Sequence, residues 1–82
     1  MIDVSSGERV AVAISEIYGP YIRILSYDDA GALEDALDDH YYILYWKFVP
    51  EDLTEQGGCE YYFGNAADPE KIQAFLDDIN FD

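Results

Sequence analysis

Two seven-residue segments place their apolar residues in the same pattern. Leu33-x-x-Ala36-Leu37-Asp38-Asp39 and Ile72-x-x-Phe75-Leu76-Asp77-Asp78 match at a constant offset of 39 residues. Apolar side chains at i, i+3 and i+4 form one stripe along a helix. A short helix with a single stripe is marginal until that stripe is buried. Two such helices in a chain of 82 residues need one further layer broad enough to cover both.

The remaining segments read as strands that supply this layer. In residues 8–17, Val10, Val12 and Ile14 alternate with Arg9, Ala11, Ala13 and Ser15. Gly19-Pro20 signals a turn, and residues 21–27 alternate again, which predicts a hairpin. Asp28 or Asp29 is expected to cap the first helix. The strongest alternation lies in residues 40–49, with Tyr42, Leu44, Trp46 and Phe48 on one side and Tyr41, Ile43, Tyr45 and Lys47 on the other. Pro50 ends it, residues 50–58 read as a polar loop, and residues 59–63 as a fourth strand. Asp68-Pro69-Glu70 has the capping Asp, N1 proline and first-turn acid of a helix start.

The predicted order is therefore ββαββα. It describes one α+β domain over residues 1–82, a four-stranded antiparallel sheet with two helices on one face. Residues 1–7 read as a short leader. The matched helices also allow a ββα unit used twice, over 8–39 and 40–80, though the architecture does not depend on it. The helix-covered face is assigned Ile22, Ile24, Tyr42, Leu44, Trp46, Phe48, Tyr61 and Phe63. The open face is assigned Tyr21, Arg23, Leu25, Tyr27, Tyr41, Ile43, Tyr45, Lys47, Glu60 and Tyr62, with Arg9 as a further candidate.

Charge narrows the function. Eighteen Asp and Glu against four Lys and Arg give a net charge of −14. Phosphates repel such a chain, which argues against direct binding to nucleic acid or an anionic membrane and for a basic protein partner. Asp38-Asp39 and Asp77-Asp78 sit at helix C-termini, where the helix dipole makes each exposed acid cost about 0.3–1 kcal/mol. Two helices repeat this unfavourable placement, which points to a use outside the domain. The candidate partner-binding residues are Glu34, Asp35, Asp38, Asp39, Asp77 and Asp78, with Glu51, Asp52 and Glu55 as a second patch. Carboxylates one helical turn apart, ~5–6 Å, offer a phosphate-like row to a groove lined with Lys and Arg. A second candidate interface, open to homodimerisation, comprises Tyr21, Arg23, Tyr41, Tyr45 and Tyr62.

Enzyme chemistry is not legible. His40 is the sole histidine, and acids surround Cys59 in sequence and disfavour its thiolate. No metal or phosphate-loop motif occurs, so no metal, cofactor or catalytic residue is expected. One cysteine excludes an internal disulfide. The N-terminal residues lack signal-peptide character, and no apolar run approaches the ~20 residues of a membrane helix, which reads as a cytoplasmic protein.

In size and composition the chain is similar to small acidic phage and plasmid proteins that imitate DNA, the anti-CRISPR and antirestriction proteins. The likeness is one of class, covers no aligned segment and carries no site residues over. The expected function is that of a small acidic inhibitor of a nucleic-acid-binding protein. The alternatives are an immunity protein against a basic toxin, an adaptor that dimerises through its tyrosine-rich face, and a high-salt housekeeping domain.

Overall fold

The computed structural model describes residues 1–3, 7–40 and 43–79, except the His40 side chain. In chain order the elements are β1 (Ala13–Ser15), β2 (Gly19–Ser26), α1 (Tyr27–Asp35), a π-helical turn (Ala36–His40), β3 (Trp46–Phe48), a 3₁₀ helix (Glu51–Gln56), β4 (Gly57–Tyr62) and α2 (Pro69–Asp78). The strands form one antiparallel sheet in the order β1-β2-β4-β3. The fold is α+β, and the order of elements roughly follows ββαββα.

The central pair sets the two faces. Ile22 lies opposite Tyr61 and Ile24 opposite Cys59, and all four are buried. They share a core with Leu33 and Leu37 from α1 and its π turn, and with Ile72, Phe75 and Leu76 from α2. Both matched stripes are thus buried against one face of the sheet. At Gly58 a Cβ would lie 2.3 Å from the Ile24 carbonyl oxygen and 2.8 Å from the Leu25 backbone, so only glycine allows the two strands this approach.

Local signals placed α2 correctly. The Asp68 carboxylate accepts from the Glu70 N–H at 2.9 Å, and Pro69 occupies the first turn. The α1 cap falls earlier than expected. Ser26 Oγ accepts from the Asp29 N–H at 3.3 Å, which leaves Asp28 and Asp29 in the first turn, where the dipole favours acids. Within the strand expected over residues 8–17, Arg9 forms an isolated antiparallel bridge with Ile2, and pairing with β2 is confined to Ala13–Ser15. Before it, Gln73 of α2 substitutes for a neighbouring strand. Its Oε1 accepts from the Val12 N–H at 2.8 Å, and its Nε2 donates to the Val10 carbonyl at 3.1 Å.

Residues 40–49 depart most from expectation. The helix continues through His40 as a π turn, and only Trp46–Phe48 is strand. The reason lies in β4, which ends at Tyr62 opposite Trp46, so the residues before Trp46 have no strand to pair with. The facing is also reversed. Trp46 pairs with Tyr62 and Phe48 with Glu60, which puts both on the open face, where they are 48% and 55% exposed. Lys47 pairs with Tyr61 on the helix side, and Tyr45 packs there with its ring 5.4 Å from that of Tyr61. Leu44, expected under the helices, is exposed. Bulky residues occupy both alternating sets, so pattern could not choose between registers one residue apart. Tyr41 and Tyr42 lie outside the described residues.

Part of the expected leader is packed. Met1 is 4% exposed and belongs to the core. Its amino group donates to the Leu76 carbonyl, and Val10 N–H donates to the Met1 carbonyl at 2.9 Å. The loop expected over 50–58 contains the 3₁₀ helix, anchored by buried Leu53, and the first residues of β4.

Two substitutions test this arrangement. Leu33→Ala is expected to lower stability by about 2–5 kcal/mol in urea unfolding, through reduced burial and a cavity. Gly58→Ala is expected to cost about 1–3 kcal/mol or more, because the added methyl forces β2 from β4. A neutral Gly58→Ala would mean that the two strands are not so closely paired.

Candidate functional site

Among the described residues, three of the four basic side chains pair with acids of the same chain. Arg9 binds Asp77 in a bidentate fashion, Nε to Oδ1 at 2.9 Å and Nη2 to Oδ2 at 2.6 Å. Arg23 donates to Glu60 at 3.0 Å and to Asp52. Lys47 reaches Glu34 at 3.4 Å. These pairs place Arg9 against α2 and Lys47 against α1, rather than on the open face where the alternation had put them. Three of the candidate partner-binding acids, Glu34, Asp52 and Asp77, are therefore engaged internally.

The two acidic helix ends, alike in sequence, differ in structure. At the end of α2 the Met1 amino group bonds the Leu76 carbonyl and Arg9 clamps Asp77. Positive charge brought from the N-terminal segment thus stands where the helix supplies none. The hydrogen bonds from Arg9 hold the Asp77 carboxyl down at about 2. The α1 end has no such clamp. Asp35, Asp38 and Asp39 are exposed and form no ion pair among the described residues. The chain instead widens into the π turn, and Ile43 N–H donates back to the Leu37 carbonyl at 3.0 Å.

Beside this end runs a groove of about 420 Å³ between α1 and the β3–β4 pair. Glu34, Asp35 and Asp38 line one wall, and Lys47, Gly57 and Gly58 the other. Ala30 and Cys59 also line it, and the wall residue Glu34 is held from the core by Tyr61, whose hydroxyl donates to Glu34 Oε2 at 2.7 Å and lies 3.3 Å from the Ala30 carbonyl oxygen. Burial pushes the Tyr61 phenol far up, so it remains a donor. Glu34 is thereby fixed between Tyr61 and Lys47, whereas Asp35 and Asp38 stay exposed at the rim.

The remaining candidates fall elsewhere. Glu51, Asp52 and Glu55 ride on the 3₁₀ helix, and Asp52 is tied to Arg23 on the open face of the sheet. They do not join the α1 acids. Asp78 is exposed at the end of α2. On the open face, Tyr21 stacks on Tyr62 at 5.1 Å and Tyr62 on Trp46 at 5.6 Å. Tyr18 sits edge-on to Tyr62 and Trp46. Sequence reasoning missed Tyr18, Trp46 and Phe48 for this face, because the sheet register alone brings them there.

Cys59 is buried, and burial pushes its thiol up, away from the reactive thiolate. Among the described residues no group of three or more His, Cys, Asp or Glu side chains is placed to hold a metal ion, and no helix is long and apolar enough to cross a membrane. Comparison with protein-family models, curated proteins and solved structures finds no match.

The Arg9–Asp77 clamp has a pH signature. A carboxyl held at about 2 against an ordinary value of 3.8 contributes stability above the ordinary value and loses it as pH falls through that window. Asp77→Asn is expected to lower Tm at neutral pH, with the difference from wild type closing between about pH 4 and pH 2. Because the pair is exposed, the difference also shrinks in molar salt. Thermal melts at stepped pH check both.

Proposed function

We propose that this chain is a binding protein that seats its acidic helical side on the basic, nucleic-acid-binding surface of another protein. It would act as a DNA mimic of the anti-CRISPR or antirestriction type and displace nucleic acid by occupying its site. The observation that carries the reading is the unequal treatment of the two helix ends. Arg9 and the Met1 amino group hold the end of α2, while Asp35, Asp38 and Asp39 are left exposed without an ion pair among the described residues.

Geometry is consistent with such a role. Asp28, Asp35, Asp38 and Asp39 are all exposed along α1 and its π turn, a span of roughly 16 Å at 1.5 Å per residue. Duplex DNA carries about ten charges over that length. The row is therefore sparser than a duplex and would imitate individual phosphate contacts rather than its charge density. The groove beside Asp35 and Asp38 has room for a Lys or Arg side chain, with Glu34 held behind it by Tyr61. The net charge of −14 would steer a cationic surface towards the domain. Displacing nucleic acid in this way requires no chemistry, and the buried, protonated Cys59 fits a non-enzymatic role.

The test is competition. Immobilised protein is expected to retain DNA-binding proteins in dilute buffer, and added duplex DNA should release them. Charge reversal by Asp35→Lys, Asp38→Lys and Asp39→Lys is expected to weaken retention by 10-fold or more, on the basis of about 1.4 kcal/mol per tenfold and the removal of three charge-assisted hydrogen bonds to the partner. Retention that survives the triple reversal, or that duplex DNA does not disturb, would overturn the proposal.

A further inference from the structure

The open face of the sheet has a directional structure. Tyr21, Tyr62 and Trp46 stand as near-parallel plates across β2, β4 and β3, with interplanar angles of 19° and 14°. Both helices pack on the opposite face. Trp46 lies on the edge strand, so the stack ends there with its outer ring face turned beyond the sheet. Tyr18 stands 5.7 Å from Tyr62 but 6.5 Å from Trp46. It therefore sits over the inner part of the stack and leaves that outer face clear.

The plates are held in place. The Tyr62 hydroxyl donates to Glu60 Oε1 at 2.8 Å, and Glu60 also accepts from Arg23. Arg23 is shared between Glu60 and Asp52, so this row holds one cation and two carboxylates. A positive group approaching the stack meets no uncompensated cation here. It meets aromatic faces, whose quadrupole attracts cations, and a surplus carboxylate.

We infer that this face, ending on Trp46 at the free edge of β3, docks an extended arginine-bearing segment of a basic partner protein. A guanidinium is planar and stacks as the next plate on tryptophan, the ring that favours a cation most. Beyond Trp46, β3 offers an edge for one added strand. Side chains two residues apart on such a strand would lie over Trp46 and Phe48, which share the face. Charge selects this occupant. A second copy would bring another −14 onto the face, and a nucleic acid would bring phosphates to the same field. The inference shares with the DNA-mimic reading only the sign of the partner's charge, because the two surfaces lie on opposite sides of the sheet.

The chain's single tryptophan is the reporter. The probe is a short peptide alternating valine and arginine. Its titration is expected to give a saturable shift in Trp46 emission, and replacing its arginines with glutamine should weaken binding about fivefold or more. By calorimetry, Trp46→Phe is expected to weaken the arginine peptide about threefold while leaving the circular dichroism unchanged. Asp35→Asn, Asp38→Asn and Asp39→Asn together should abolish DNA competition yet leave peptide affinity within about twofold, since screening at ~0.1 M salt acts over ~10 Å. Loss of peptide binding in that triple variant would overturn the inference. So would equal binding of the glutamine peptide, or no emission change at all. An oligonucleotide that shifts Trp46 emission more tightly than the peptide would assign the face to nucleic acid instead. An emission change with the protein's own concentration would assign it to a second copy.

Discussion

The antiparallel pairing of β2 with β4 is the constraint on which the rest of the structure depends. It sets Ile22 against Tyr61 and Ile24 against Cys59, and these buried residues make the floor on which both helices pack. Strand alternation then puts Tyr21, Arg23, Glu60 and Tyr62 on the other side without further choice. A shift of one residue would exchange the two faces, so the surface properties of the domain follow from this register. Gly58 permits it, since a side chain there would meet the Ile24 carbonyl.

On this sheet the few cations divide the molecule into unlike sides. Arg9, Lys47 and Arg23 each bind acids of the same chain, at α2, at α1 and at the open face respectively. Exposed ion pairs of this kind contribute little stability each. Their effect is on distribution, because they decide which carboxylates remain uncompensated. Among the described residues Asp35, Asp38 and Asp39, at the end of α1 and in its π turn, form no ion pair, which leaves a helical side of charge and a sheet side of rings. The domain is thus asymmetric in a way that a net charge alone cannot express.

How much of this could be read in advance depended on the range of the interaction. The start of α2 was legible because Asp68, Pro69 and Glu70 act on their own turn. The two apolar stripes were legible because 3.6-residue periodicity survives in any tertiary context. The α1 cap was misplaced because Ser26, Asp28 and Asp29 are all competent caps and only the backbone path selects one. Residues 40–49 were misread for two reasons. Both alternating sets are bulky, and the end of β4 leaves most of the segment without a strand partner. In the candidate site, the exposure of Asp35, Asp38 and Asp39 was visible in the helix pattern. The capture of Asp77 by Arg9, 68 residues away in the chain, was not.

The sequence by itself determined the α+β class, the two one-sided helices, the presence of a hairpin before α1 (its turn falls at residues 16–18, with Gly19 and Pro20 already paired in β2) and the excess of negative charge. Each of these rests on local periodicity, turn chemistry or a simple count. Only the tertiary structure decided which acids are neutralised by a partner within the chain, and which aromatic rings stand outside. Both depend on contacts between segments remote in sequence, where a change of one residue in register turns a buried ring into an exposed one.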